Sequence, residues 1–307
     1  MKKSLLALAA LTAFAGAASA QSSVTLYGRI DLSVAKNIGS DNKNLQNGSG
    51  SRLGVRGVED LGGGLKVDFN LEHRYDADTG NQSSSRFWHG RSVVGLRGGF
   101  GRISLGREYT PAFLYSQLSV DPWGWDTVAA FTSAGGGIVK VRQDNTVNYQ
   151  IGGGGFNLWA QIAESANTGA EPDRPFSIAA NYSAGPMYIG FGHENPGNVN
   201  DDWNYLNFNY NFGGFKLLTG LGSGKNAGNQ THRQYMIGAT AGMGAGEFRA
   251  AFAQLKNTTT DVTLSQKFAV GYHYSMSKRT TLYVDFANDS KAATSKSGYD
   301  LGIKHNF

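Results

Sequence analysis

Six histidines are available for chemistry: His73, His89, His193, His232, His273 and His305. A zinc hydrolase needs two of them one helical turn apart beside a glutamate, and a serine hydrolase needs a nucleophile on a sharp glycine-flanked elbow. Neither pattern occurs. The glycine runs at 152–155 (GGGG) and 242–246 (GMGAG) invite a phosphate cradle, but no helical periodicity follows either, so both read as turns. There is no cysteine for redox or disulfide chemistry. What remains is fixed charge. Arg29 in YGRID, Arg52 and Arg56 in SRLGVRG, and Arg91 in HGRSVV stand in registers opposite apolar neighbours. Guanidinium groups repeated along one face of a sheet sort ions and need make no bonds.

The elements that must position them are strands. Leu26, Ile30, Leu32 and Val34 share one register, with Tyr27, Arg29 and Asp31 in the other. Leu53 and Val55 oppose Arg52 and Arg56, and Leu65, Val67, Phe69 and Leu71 oppose Lys66, Asp68, Asn70 and Glu72. The same alternation returns at Val147–Ile151, Phe176–Tyr182, Leu206–Phe212, Phe268–Tyr274 and Leu282–Phe286. The final residues, YDLGIKHNF, alternate as cleanly and end on a bare Phe307. Strands with one apolar and one charged face, repeated along a whole chain, fit a closed sheet with lipid outside and water inside.

Composition agrees. Glycine is 43 of 307 residues, against a usual share of about 7%. Aromatics are 12%, charged residues only 17% and prolines six, as expected of many strands joined by tight turns. A mean hydropathy of −0.33 is no objection, because alternating strands average to nothing. The connections fall into two kinds. Short glycine-rich ones lie at 61–64, 98–99, 152–155, 185–186, 213–214, 242–246 and 277–279; longer polar ones lie at 37–48, 76–85, 167–174, 195–202, 224–232, 257–261 and 288–297. One connection, residues 108–144, is far longer and carries Tyr109, Phe113, Tyr115, Trp123, Trp125 and Phe131. That many rings argue for a packed segment, and the lumen is the place to pack it. Eight long loops and seven short turns predict sixteen strands.

Residues 1–20 read as a secretory signal: Lys2 and Lys3, an apolar run, then Ala18-Ser19-Ala20 as a cleavage site. The barrel then occupies 21–307. Net charge is +5, or +3 without Lys2 and Lys3, and no basic run reaches five residues, so nucleic acid is not an expected partner.

As a set, SVTLYGRIDLSV, SRLGVRGVEDLGGGLKVDFNLE, VVGLRGGFGRISLGREYTPAF, YSMSKRTTLYVDFAND and the terminal GIKHNF resemble the general diffusion porins of Gram-negative outer membranes, especially the β-proteobacterial branch. The resemblance implies an all-β fold, a 16-stranded antiparallel transmembrane β-barrel with an inward-folded third loop, assembled as a homotrimer in outer-membrane lipid. It implies passage of small ions and hydrophilic solutes, with no cofactor or metal; the small positive excess and the inward Arg29, Arg52 and Arg56 add the expectation of a mild anion preference. The resemblance also implies an eyelet in which carboxylates of the third loop, Glu108 and Asp121, face wall arginines Arg29, Arg52 and Arg56; Arg91 joins these by its inward register alone, since HGRSVV departs from the family's pattern. Lys140 and Arg142 are the alternative cations if the register of the first strands is otherwise. Phe307 corresponds to the signal read by the β-barrel assembly machinery in such proteins. An outer-membrane hydrolase and a soluble periplasmic binding protein are the competing classes; the first lacks a catalytic signature and the second leaves the last strand uncovered.

Overall fold

Strand β1 (Ser23–Lys36) is met along one edge by two extended stretches in succession. Lys43–Asn47 pairs with its outer half and Ser51–Gly62 with its inner half. These are the pieces β2a and β2b of one strand, interrupted at residues 48–50. Then follow β3 (Leu65–Tyr75), β4 (Arg91–Gly98), β5 (Gly101–Tyr109), β6 (Arg142–Gly153), β7 (Phe156–Ala163) and β8 (Phe176–Ala184). The second half runs through β9 (Met187–Asn195), β10 (Asp202–Asn211), β11 (Phe215–Lys225), β12 (Thr231–Met243), β13 (Gly246–Asn257), β14 (Val262–Ser275), β15 (Thr280–Asp289) and β16 (Ser297–Asn306). Each strand pairs antiparallel with the next, and β16 returns to β1 with Asn306 opposite Arg29 and Tyr299 opposite Lys36. The result is a closed barrel of sixteen strands. This computed structural model describes residues 22–132, 140–164, 174–198 and 200–307; the predicted signal at 1–20 lies outside them.

Alternation decides which face each residue takes. Val24, Leu26, Leu221 and Leu301 are each 60% exposed or more on the outside. On the inside, Asp31, Asn148, Asn207, Asn209 and Asp285 are buried under lumen contents. Exposed outward apolar side chains beside buried inward polar ones invert the ordinary globular pattern, as a solvent of hydrocarbon requires. Two boundaries differ from expectation. The long connection is shorter than 108–144, because Glu108 and Tyr109 finish β5 and residues 142–144 begin β6; the charged sequence REYT and RQD hid both ends. The first loop contains β2a, whose KNLQN has a single apolar residue and so no visible alternation.

Turn chemistry closes the short rim. Gly62, Gly63 and Gly64 all have φ between +60° and +82°, which only glycine adopts without strain. At the chain's end, Phe307 exchanges backbone hydrogen bonds with Gly28 of 3.0 and 3.1 Å. A Cβ on Gly28 would stand 2.3 Å from the Phe307 ring. The terminal ring therefore lies over a glycine at the β16–β1 seam, with the neighbouring strand on one side and lipid on the other.

The apolar core is inside the barrel. The described part of loop 3, residues 110–132 with 140 and 141, folds into the lumen, and Phe113, Val120, Trp123, Ala129, Ala130 and Phe131 pack on inward Trp203, Tyr205, Met236, Ala253 and Leu255.

Candidate pore constriction

Loop 3 is built to lie along one wall. After Thr110-Pro111 it makes a short helical turn, Phe113–Gln117. Its base is held to β8–β10: the Ala112 N–H donates to Ser177 Oγ at 3.1 Å and Tyr188 Oη donates to the Tyr115 carbonyl at 2.6 Å. Asn207 and Asn209 donate to Ser119, each at 2.9 Å. Gly192 makes room for this contact, since a Cβ there would lie 2.5 Å from Ser116 Oγ and 2.7 Å from Ala112 Cα. Gly192→Val is accordingly expected to lift the base of the loop and raise single-channel conductance while the barrel keeps its heat-modifiable migration on gels; unchanged conductance would count against the contact.

The tip is held to the opposite end of the chain. Trp123 Nε1 donates to Asp285 Oδ1 at 2.7 Å, and the Val128 N–H to Asp300 Oδ2 at 3.2 Å. Lys267 Nζ donates to the carbonyls of Val128 and Ala130, the former at 2.9 Å. The Thr127 N–H reaches the Gly48 carbonyl at 2.9 Å, inside the interruption of β2. Within the loop, Asp121 accepts the backbone N–H groups of Trp123 at 2.9 Å, Trp125 at 3.2 Å and Phe131 at 2.9 Å. Burial pushes its carboxyl up to about 6, against the pull of these three donors.

Across from the loop stands a basic wall. Arg29 on β1, Arg52 on β2b, Arg74 on β3 and Arg142 on β6 line one gap of about 390 Å³ with Tyr109, and its other side is Phe113, Leu118, Gly124, Trp125 and Asp126. Arg29 reaches Asp126 at 3.3 Å. Arg74 is held by Glu72 at 2.7 Å and donates to Tyr109 Oη at 2.9 Å. Arg142 donates to the same oxygen at 2.7 Å, with its guanidinium carbon 4.3 Å above that ring. Arg52 donates to the Gly50 carbonyl at 3.0 Å. Among the described residues no carboxylate is paired with Arg52 or Arg142. The gap therefore keeps a positive excess after its ion pairs are made.

The residues expected from sequence divide into three groups. Arg29 and Arg52 face loop 3 in this gap. Arg56 and Arg91 lie nearer the short-turn rim, around a second space of about 330 Å³ with Arg97, Arg102 and Asp68; Arg56 stacks 5.0 Å over Tyr27. The two carboxylates are engaged elsewhere. Glu108 is fully buried and paired with Arg91, and Asp121 is turned into its own loop. The loop carboxylate opposite the wall is Asp126, which sequence reasoning passed over together with Arg74. Arg74 continues the inward register of Asp68, Asn70 and Glu72, so a longer reading of β3 would have found it. Arg142, the alternative cation, stands beside Arg29 and Arg52 and does not replace them.

A closed sheet with apolar exterior, polar lumen and a loop narrowing the passage defines a transmembrane channel. A family model described as Gram-negative porin matches residues 7–294, and the chain belongs to that family. Outer membrane porin protein 32 of Delftia acidovorans is 34% identical, with both chains covered in full. A major outer membrane protein P.IB of Neisseria meningitidis serogroup B is 26% identical over the same complete extent. The solved anion-selective porin from Comamonas acidovorans superposes with a TM-score of 0.81 at 31% identity, covering 94% of this chain and 100% of that one. The protein is an outer-membrane channel of a family of porins, not an enzyme.

Proposed function

We propose that the channel passes small hydrophilic solutes with a mild preference for anions, and that Arg29, Arg52, Arg74 and Arg142 set this preference at the gap beside loop 3. Arg56 and Arg91 extend the basic path towards the short-turn rim. Glu108 tempers Arg91, and Asp121 shapes the loop. The observation that carries the reading is the positive excess of the gap: four arginines face two carboxylates, Asp126 and Glu72, and neither Arg52 nor Arg142 is ion-paired among the described residues. The solved relative's description as anion-selective supports the same sign. In a water-filled lumen with low-dielectric walls, a few fixed charges outweigh the net charge of the molecule. Reconstitution in a planar bilayer under a potassium chloride gradient tests it. The zero-current potential is expected to show chloride preference that shrinks with salt, since the Debye length falls from ~30 Å at 0.01 M to ~3 Å at 1 M. Cation preference at low salt would overturn the assignment.

Assembly follows the same reading. The working unit is a homotrimer in outer-membrane lipid, exported by residues 1–20 and inserted by the β-barrel assembly machinery through Phe307. The ring of Phe307 at the seam supports a double use, first as signal and then as packing against Gly28. Deleting Phe307 is expected to leave export intact and to deplete folded protein from the outer membrane. Undiminished heat-modifiable protein in that fraction would contradict this.

A further inference from the structure

The outward register of the strands, among the described residues, carries cations only near the long-loop rim. They are Lys36 and Lys43 on β1 and β2a, Arg107 on β5, and Lys225, Arg233 and Lys256 on β11, β12 and β13. In outer-membrane barrels this rim faces outwards. Lys36 and Arg107 are occupied by Asp41 and Asp144. Lys256 has one partner, Asp261, in the exposed loop beyond it, at 2.5 Å. Arg233 is exposed and has no hydrogen-bond or ion-pair partner among the described residues.

Register places Arg233 at a chemical boundary. Cross-strand pairing runs His193–Asn204–Ser223–Arg233–Lys256, one polar row over five strands. Two residues nearer the membrane centre runs Phe191–Leu206–Leu221–Tyr235, an apolar row. The two rows enclose an outward groove of about 360 Å³ whose floor is Phe191, Leu206, Leu221 and Tyr235 and whose outer end is Ser223 and Arg233. Ser223 has the shortest side chain of the polar row, so the groove opens directly onto the guanidinium. Leu221 is 60% exposed along it.

We propose that this groove seats a phosphorylated lipid of the outer leaflet. An acyl chain lies against Leu206, Leu221 and Tyr235, and the headgroup phosphate is forked by Arg233 with Lys256 and Lys225 beside it. The planar guanidinium matches two phosphate oxygens at once, and charge-assisted hydrogen bonds of this kind are the strong ones. The apolar row alone would take any lipid. The cations at its outer end select an anionic one, and their place at the boundary sets the depth at which it sits.

The test is native mass spectrometry of the detergent-purified protein titrated with phosphatidic acid, with zwitterionic phosphatidylcholine, whose net charge is zero, as the comparison. Phosphatidic acid should be retained in preference, and Arg233→Gln should lower its retention about tenfold, the loss of one charge-assisted contact, with Lys256→Gln lowering it further. Leu221→Trp, which fills the groove and leaves the cations, should lower retention as well. Lys43→Gln, an outward cation at the other side of the barrel, should leave it unchanged. Conductance of all variants should equal that of the parent, which certifies folding. Equal retention of the two lipids, or an equal effect of Lys43→Gln, would overturn the site. Displacement of the lipid by millimolar inorganic phosphate would make it a free-anion site and overturn it too.

Discussion

Arg52→Gln with Arg142→Gln is expected to move the zero-current potential from the chloride side to the potassium side. These two guanidinium groups are the uncompensated charge of the gap; Arg29 and Arg74 are already matched by Asp126 and Glu72. At ~4–8 Å and an effective dielectric between ~20 and ~80, each unit charge contributes on the order of 1 kcal/mol, with opposite sign for anion and cation. Removing both therefore changes the permeability ratio severalfold or more. Asp126→Asn should act in the reverse direction by freeing Arg29. Arg74→Gln is the weaker choice, because it also leaves Glu72 buried without its partner. A double glutamine variant with the parent's zero-current potential at low salt would remove these side chains from the conduction path.

Asp121→Ala is expected to open the constriction without unfolding the barrel. Its carboxylate satisfies three backbone donors of loop 3. Those donors hold a strained path, in which Trp125 and Thr127 have φ of 64° and 68°. Leaving buried N–H groups without acceptors costs roughly 1–3 kcal/mol each. A tip tied to the wall by a few hydrogen bonds gives way before sixteen closed strands do. Single-channel conductance should rise and become noisier, with heat-modifiable migration preserved. Asp121→Asn retains one acceptor oxygen and should fall between. Parent-like conductance in the alanine variant would show that the loop keeps its shape by other means.

The barrel was legible because period-two alternation is local: each strand announces its own faces, and lipid outside makes the contrast between them strong. Wall residues within such a pattern, Arg29 and Arg52, could be placed by counting. Loop 3 obeys no period. Asp121 and Asp126 are five positions apart in one loop, yet one turns into the backbone and the other towards Arg29. That difference depends on Lys267, Asp285 and Asp300, which lie far along the chain. Glu108 shows the same limit at short range, since a bulge beside Gly106 shifts the register of β5 just before it. Its pairing with Arg91 follows from geometry that residue types do not reveal.

The tip of loop 3 has partners on both sides of the line where the first and last strands meet. Asp285 and Asp300 come from β15 and β16, while Gly48 and Arg29 come from the interrupted β2 and from β1. The loop is thus a clasp across the closure of the sheet as well as a narrowing of its lumen. The contacts of Trp123 and Val128 span 162 and 172 residues of chain. Bringing such distant groups together carries a large loop-closure entropy, so these contacts belong late in folding. A chain whose ends have not yet joined has nowhere to fasten the tip. The narrow passage is then the last part of the molecule to form, and its presence reports that the cylinder has shut.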